Sequence, residues 1–268
     1  MYFTKIRLNG LSVIDLPIVD AKPSDIYILK NAMGLGPPEV DVSIVNTLNA
    51  GGFYQGRRPN PREVVLHIGL NPSYSVDQTS SDLRQFLYGM MTPGSNDIVR
   101  IELVDDDIPL VYTEGYGKKL EIAPFSQTPE VQLTLACLQQ FLLAPADLYI
   151  DPGSQASPTI TNVGTAPAGF NMEVIFTSAL SKWSITDDSG NVMEVTWDFI
   201  IGDKLILDTR PGSRAVTLVR SGAPNNIIYA LSSSAVWHML HGGVNKFTTS
   251  SAYFTWGNVF YRPQYWGI

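Results

Sequence analysis

Trp183-Ser184-Ile185-Thr186-Asp187-Asp188-Ser189-Gly190-Asn191-Val192-Met193-Glu194-Val195-Thr196-Trp197 holds two short alternating runs of apolar and polar residues around a cluster of turn formers. Successive side chains of a strand point to opposite faces, so a period of two marks a half-buried strand, whereas a helix buries every third or fourth residue. The runs 183–187 and 192–197 therefore predict two antiparallel strands, and Asp187-Asp188-Ser189-Gly190-Asn191 predicts the hairpin turn that joins them.

The same signature extends in both directions. Residues 171–176, 204–208, 215–220, 226–231, 246–249 and 259–262 read as further short strands, with Arg210-Pro211-Gly212-Ser213 as another turn. Closely spaced short strands with tight turns predict a β-sandwich of about 110 residues. Toward the N-terminus, 25–29, 39–48, 63–70, 97–104, 109–113, 118–122 and 130–138 also alternate. The turn-rich pieces Ala144-Pro145-Ala146 and 151–158 interrupt the pattern and place a junction there, giving domains 1–145 and 146–268.

One segment departs from period two. Leu83, Phe86, Leu87 and Met90 recur at i, i+3, i+4 and i+7, which predicts a single amphipathic helix near 80–91 with these four side chains as its core face. Thr79 and Asp82 form a capping-box-like start, and Pro93-Gly94 forms the stop. Between Gly34 and Asn60, strand-like residues lie among Gly-, Pro- and Asn-rich pieces, the composition of a long projecting hairpin.

Composition narrows the function. Of 268 residues, 44% are hydrophobic and only 16% charged, against about 25% in an ordinary soluble domain. Disorder is excluded, and the shortage of charge points to surface covered by other subunits. Eighteen basic and 25 acidic side chains give a net charge of −7, shared as −5 and −2 between the halves, so no basic field recruits nucleic acid or an anionic membrane. The lone Cys137 forbids an internal disulfide and a cysteine zinc cage. No apolar block resembles a signal peptide, and no run of about 18 apolar residues could span a bilayer, so folding in a cytoplasm without membrane insertion is expected.

Candidate chemistry is thin. His238 and His241 could share a helix face and bind a metal, but Gly242-Gly243 breaks any helix there. Gly115-Tyr116-Gly117-Lys118-Lys119 lacks the spacing of a phosphate loop and reads as a hairpin turn. Asp105-Asp106-Asp107 reads as a solvated turn ahead of a calcium site, and Asp187 with Glu194 is one of many chance carboxylate pairs. Cys137 reads as a buried inert thiol. Trp183, Trp197, Trp237, Trp256 and Trp266 could stack on sugar rings if exposed, which keeps a carbohydrate-binding adhesion protein as the alternative to an assembly role. No enzymatic activity, metal or cofactor is expected.

Three stretches together resemble the distal tail proteins of siphophages: Gly34-Leu35-Gly36-Pro37-Pro38-Glu39-Val40, then Asn49-Ala50-Gly51-Gly52-Phe53-Tyr54-Gln55-Gly56-Arg57-Arg58, then Arg62-Glu63-Val64-Val65-Leu66-His67-Ile68. The second half adds Thr161-Asn162-Val163-Gly164-Thr165, then Gly202-Asp203-Lys204-Leu205-Ile206-Leu207-Asp208-Thr209, then Trp237 with Leu240 and Gly242-Gly243-Val244-Asn245, and finally Tyr261-Arg262-Pro263-Gln264-Tyr265-Trp266-Gly267-Ile268, in the family's order. The resemblance implies a mainly β protein. Its first domain would be a tail-tube-like β-sandwich or partial barrel with one α-helix and a long hairpin, and its second a galectin-like β-sandwich.

It further implies a homohexameric ring at the distal end of the virion tail. That ring would join the tail tube protein to a tail-tip hub or tail-associated protein, and to receptor-binding proteins or fibres, with DNA only in transit through its lumen. Within that picture Phe53, Tyr54, Arg57 and Arg58 are the candidate ring or tube interface, because aromatic anchors and forked guanidinium donors dominate interface hot spots.

Overall fold

A computed structural model describes residues 3–10, 12–18, 22, 25–46, 52–73, 77–90, 97–122, 129–152 and 156–268. The fold is mainly β, and the chain forms two compact units, Met1–Pro145 with Tyr265–Ile268, and Ala146–Gln264. The chain thus leaves the first unit once and returns to it.

The first unit contains β1 (Lys5–Asn9), β2 (Val13–Pro17), β3 (Tyr27–Met33), β4 (Val40–Asn46), β5 (Gly52–Pro59), β6 (Glu63–Leu70), α1 (Ser80–Met90), β7 (Val99–Asp105), β8 (Ile108–Ile122), β9 (Glu130–Cys137) and β10 (Leu142–Leu143). Seven strands pair antiparallel in the order β2-β1-β7-β8-β9-β6-β3. The sheet curls until its two edges, β2 and β3, line one open cleft of about 370 Å³ together with Phe86. Alternation dictates the core: Ile6, Leu8, Val64, Leu66, Ile68, Ile101, Leu103, Leu133 and Leu135 all point to one side.

The helix begins as its cap residues require. The Thr79 amide donates to the Asp82 carboxylate at 2.8 Å and the Asp82 amide donates to the Thr79 hydroxyl at 3.3 Å, satisfying donors of the first turn. These bonds hold the Asp82 carboxyl below its usual range. The predicted stop, Pro93-Gly94, lies outside the described residues.

Leu83 and Leu87 are buried, but Phe86, expected on the core face, is 44% exposed and lies beside Tyr27 at a ring separation of 6.4 Å. The buried stripe is narrower than the period suggests, because α1 covers an edge of the curled sheet and only the i, i+4 row reaches the core. Burial pushes the Tyr27 hydroxyl up to about 12 while it donates to the Leu83 carbonyl. The Met90 side chain lies outside the described residues.

A second correction concerns 109–122. The expected strands 109–113 and 118–122, with a turn at Gly115–Lys119, form one continuous strand, β8, with a bulge between Gly117 and Lys119. Gly115 is there for close packing: a Cβ would sit 2.6 Å from the Ala136 carbonyl oxygen of β9.

The second unit contains β11 (Leu148–Ile150), β12 (Thr159–Asn162), β13 (Phe170–Phe176), β14 (Leu180–Asp187), β15 (Val192–Phe199), β16 (Lys204–Asp208), β17 (Ala215–Arg220), β18 (Ala223–Asn226), β19 (Gly243–Thr249) and β20 (Phe254–Tyr261). Sheets β11-β20-β13-β16-β17-β18 and β12-β19-β14-β15 face one apolar core, which makes a sandwich. The predicted hairpin is β14–β15, with Ile185 opposite Met193 and Trp183 opposite Val195, all four buried. Its turn closes because the Asp187 carboxylate accepts from the Ser189 and Asn191 amides at 3.0 and 2.9 Å, and Gly190 takes φ +82°. The expected strand 226–231 is instead the end of β18 followed by a 3-10 turn at Ile228–Ala230.

Candidate assembly surface

The segment between Gly34 and Asn60 folds as a two-stranded ribbon, β4 against β5, that forms a sheet of its own. Val40, Val42 and Ile44 alternate with Asp41 and Ser43, so one face of β4 is apolar; Val42 and Ile44 remain 54% and 57% exposed. A lone hairpin is marginal in water, and an apolar face without an underlying core normally meets a partner. A bulge between Ser43 and Ile44 sets Tyr54 opposite Ile44 and Phe53 opposite Val45. Arg57 pairs with Val42 and Arg58 with Asp41. Arg58 is exposed, whereas the side chains of Phe53, Tyr54 and Arg57 lie outside the described residues.

The feet of the ribbon are rigid. Pro37 and Pro38 precede β4, Pro59 closes β5 and Pro61 follows, each with a fixed φ. They border an open pocket of about 610 Å³ with Glu39, Asn60 and Arg62. Gly34 adopts φ +83° and its Cα packs onto the Glu63 carbonyl, so no other residue fits.

Arg62 is 2% exposed, and among the described residues no carboxylate pairs with it. Its guanidinium makes five hydrogen bonds instead, all to main-chain carbonyls: Nη1 to Gly34 and Gly36 at 2.6 Å each, Nε and Nη2 to Gln140 at 3.2 and 3.0 Å, and Nη2 to Trp266 at 2.6 Å. Burial pulls its pKa below the ordinary guanidinium value. Sequence reading had no signal for this role, since a single arginine beside a proline looks like any surface cation.

The other candidates have structural work. Asp106 and Asp107 adopt positive φ in the β7–β8 turn, and Asp107 joins Asp15 in a network with Lys5 and Arg7. His238 is buried, with Nε2 3.1 Å from the Ile185 carbonyl and Nδ1 3.3 Å from Asp187, while His241, three residues along an extended segment, is exposed. The two imidazoles therefore do not share a face. Glu194 pairs with Lys182 while Asp187 closes its turn. Cys137 is buried, and desolvation pushes its thiol up. None of the five tryptophans is exposed: Trp183 is fully buried, packed edge-on against Phe176, Phe254 and Trp256, and the other four are half-buried. Among the described residues no cluster of three or more His, Cys, Asp or Glu is placed to hold a metal. Among the described residues no helix is long and apolar enough to cross a membrane.

Residues 163–265 match the family described as the siphovirus-type tail component, C-terminal domain. That match spans most of the second unit. The resemblance to siphophage distal tail proteins read from the sequence is thereby borne out. The chain shares the fold of the SPP1 Dit protein, described as "a Paradigm of Hub Adsorption Apparatus in Gram-positive Infecting Phages". That likeness has a TM-score of 0.63 at 12% identity and covers 97% of this chain and 98% of the other. A chain of the phage P2 baseplate in its activated conformation with Ca is also similar, with a TM-score of 0.40 at 8% identity over 97% of each chain. No curated protein sequence gives a significant match.

Proposed function

We propose that the chain is the structural hub of a phage tail tip, an assembly protein and not an enzyme. Six copies close a ring that continues the tail tube, with the first unit as the tail-tube-like ring former and the second as a galectin-like sandwich. The observation that carries this reading is the β4–β5 ribbon, whose exposed Val40, Val42 and Ile44 have no core of their own to cover. A neighbouring subunit supplies that cover, and β2 and β3, the outer strands of the sheet among the described residues, offer further main-chain bonding. Phe53, Tyr54, Arg57 and Arg58 on β5 act as the anchors and donors of the contact.

The ring joins the tube to tail-tip proteins and to receptor-binding proteins or fibres. DNA crosses its lumen, where a net charge of −7 disfavours sticking of phosphates. Likeness to the SPP1 hub protein and the match to a tail component support this assignment. Mass photometry and negative-stain imaging of the purified chain test it: a particle of six-chain mass with a central hole is expected, and a monomer at micromolar concentration overturns it.

A further inference from the structure

A buried arginine normally meets a carboxylate, because leaving the charge unpaired in a low dielectric is costly. Arg62 meets only carbonyls, and these come from three places in the sequence that the fold brings to one point. Gly34 and Gly36 lie just before β4, Gln140 lies in the loop between β9 and β10, and Trp266 belongs to the segment that returns to the first unit after residue 264. Arg62 itself is the third residue after β5 and immediately precedes β6. One planar fork therefore spans both feet of the ribbon. The surrounding bonds agree with that role. Gln140 Nε2 donates to the Pro59 carbonyl at 3.2 Å, the Asn60 amide donates to the Glu39 carbonyl at 2.8 Å, and the Ile268 amide donates to the Leu35 carbonyl at 3.2 Å. The Trp266 ring packs edge-on to Phe141 at 4.7 Å, and a Cβ on Gly267 would sit 2.5 Å from the Gly36 carbonyl carbon.

We propose that Arg62 is a main-chain clamp that fixes the direction of the β4–β5 ribbon, and that the clamp closes only when segment 265–268 has returned to the first unit. A fork with five N–H donors in one plane can hold four carbonyls in fixed relative positions; a point-like ammonium cannot. Because a chain is made from its N-terminus, the Gly34, Gly36 and Gln140 carbonyls exist before any of the second unit, whereas the Trp266 carbonyl arrives only after residues 146–264 have been synthesised. The ribbon is thus held in its final direction last, so an incomplete chain does not present a competent ring-forming arm. This inference rests on the ring reading for its consequence, but not for the clamp itself.

The test measures hydrogen exchange of the ribbon amides in full-length protein, read on the monomeric fraction at low concentration, alongside particle mass at high concentration. Arg62→Met should lower protection of the β4–β5 ladder about tenfold while leaving β6–β9 unchanged, and should abolish rings. Arg62→Lys keeps the charge and should behave like Arg62→Met; wild-type protection in the lysine variant overturns the fork. Gly267→Val displaces the returning segment without touching Arg62 and should also lower ribbon protection tenfold. If Arg62→Met fails to fold, this variant decides, and unchanged ribbon exchange in it overturns the proposal. A wild-type chain that stays monomeric yet loses ribbon protection in Gly267→Val refutes the ring and keeps the clamp. Rings that persist with unchanged exchange refute the clamp and keep the ring.

Discussion

The ribbon β4–β5 and the hairpin β14–β15 are built from the same kind of sequence. Each alternates apolar and polar residues, each pairs antiparallel, and each carries one bulge. They differ in what lies beneath. Trp183, Ile185, Met193 and Val195 of the hairpin are buried against the second sheet of the sandwich, whereas Val40, Val42 and Ile44 of the ribbon face outward. Alternation states that a strand has an apolar face; it does not state whether the same chain or another one covers it. The feet differ in kind as well. Asp203, buried and bonded to Arg220 at 2.6 Å and to the Ile200 amide at 2.9 Å, fixes the exit of β15, while the ribbon is held by a buried cation.

Substitutions can break this comparison, beginning with the largest effect. Trp183→Ala should cost about 3–5 kcal/mol in chemical denaturation, since it removes a fully buried aromatic from the sandwich core. A loss under about 1 kcal/mol would mean that the hairpin is no better covered than the ribbon.

Asp203→Asn should cost roughly 1–3 kcal/mol near neutral pH, below the value for a fully enclosed pair because Arg220 is partly exposed. The Arg220 hydrogen bonds hold the Asp203 carboxyl below its ordinary range, so the folded value lies under the unfolded one. Its contribution is therefore complete above about pH 4 and is lost as pH falls through the depressed value. Denaturation midpoints of wild type and Asp203→Asn should converge at low pH, and a gap that stays constant to pH 2 contradicts the assignment.

Phe86→Ala should cost about 1 kcal/mol, as its ring is only partly covered beside Tyr27. A loss near 4 kcal/mol would show that the open cleft closes over it in solution.

The double change Val42→Ser with Ile44→Ser should leave monomer stability within about 0.5 kcal/mol of wild type, because both side chains are exposed. Sedimentation should nonetheless show loss of the ring. Unaltered assembly would place the subunit contact elsewhere.

What could be read without a structure was whatever neighbouring residues decide among themselves. Strand periodicity depends on successive side chains pointing to opposite faces, and the Asp187–Asn191 turn and the Thr79–Asp82 cap depend on side chains reaching amides two to four positions away; each is present. Where distant segments meet, local reading ran out. Gly115 and the lysines after it carry turn residues, yet β9 pairs along them and draws them into one long strand. Phe86 occupies a helical core position by spacing, yet the curl of the sheet leaves it at the cleft.

The amino-acid order by itself thus determined a mainly β chain with one capped helix among the described residues, because these follow from periods, caps and turn chemistry written within a few residues. Tertiary structure alone decided that one alternating hairpin is roofed by its own sandwich while another stands bare. It also decided that Arg62 holds carbonyls from residues 34, 36, 140 and 266. Burial and the meeting of sequence-distant carbonyls are properties of where the backbone returns in space, and residue spacing carries no record of that return.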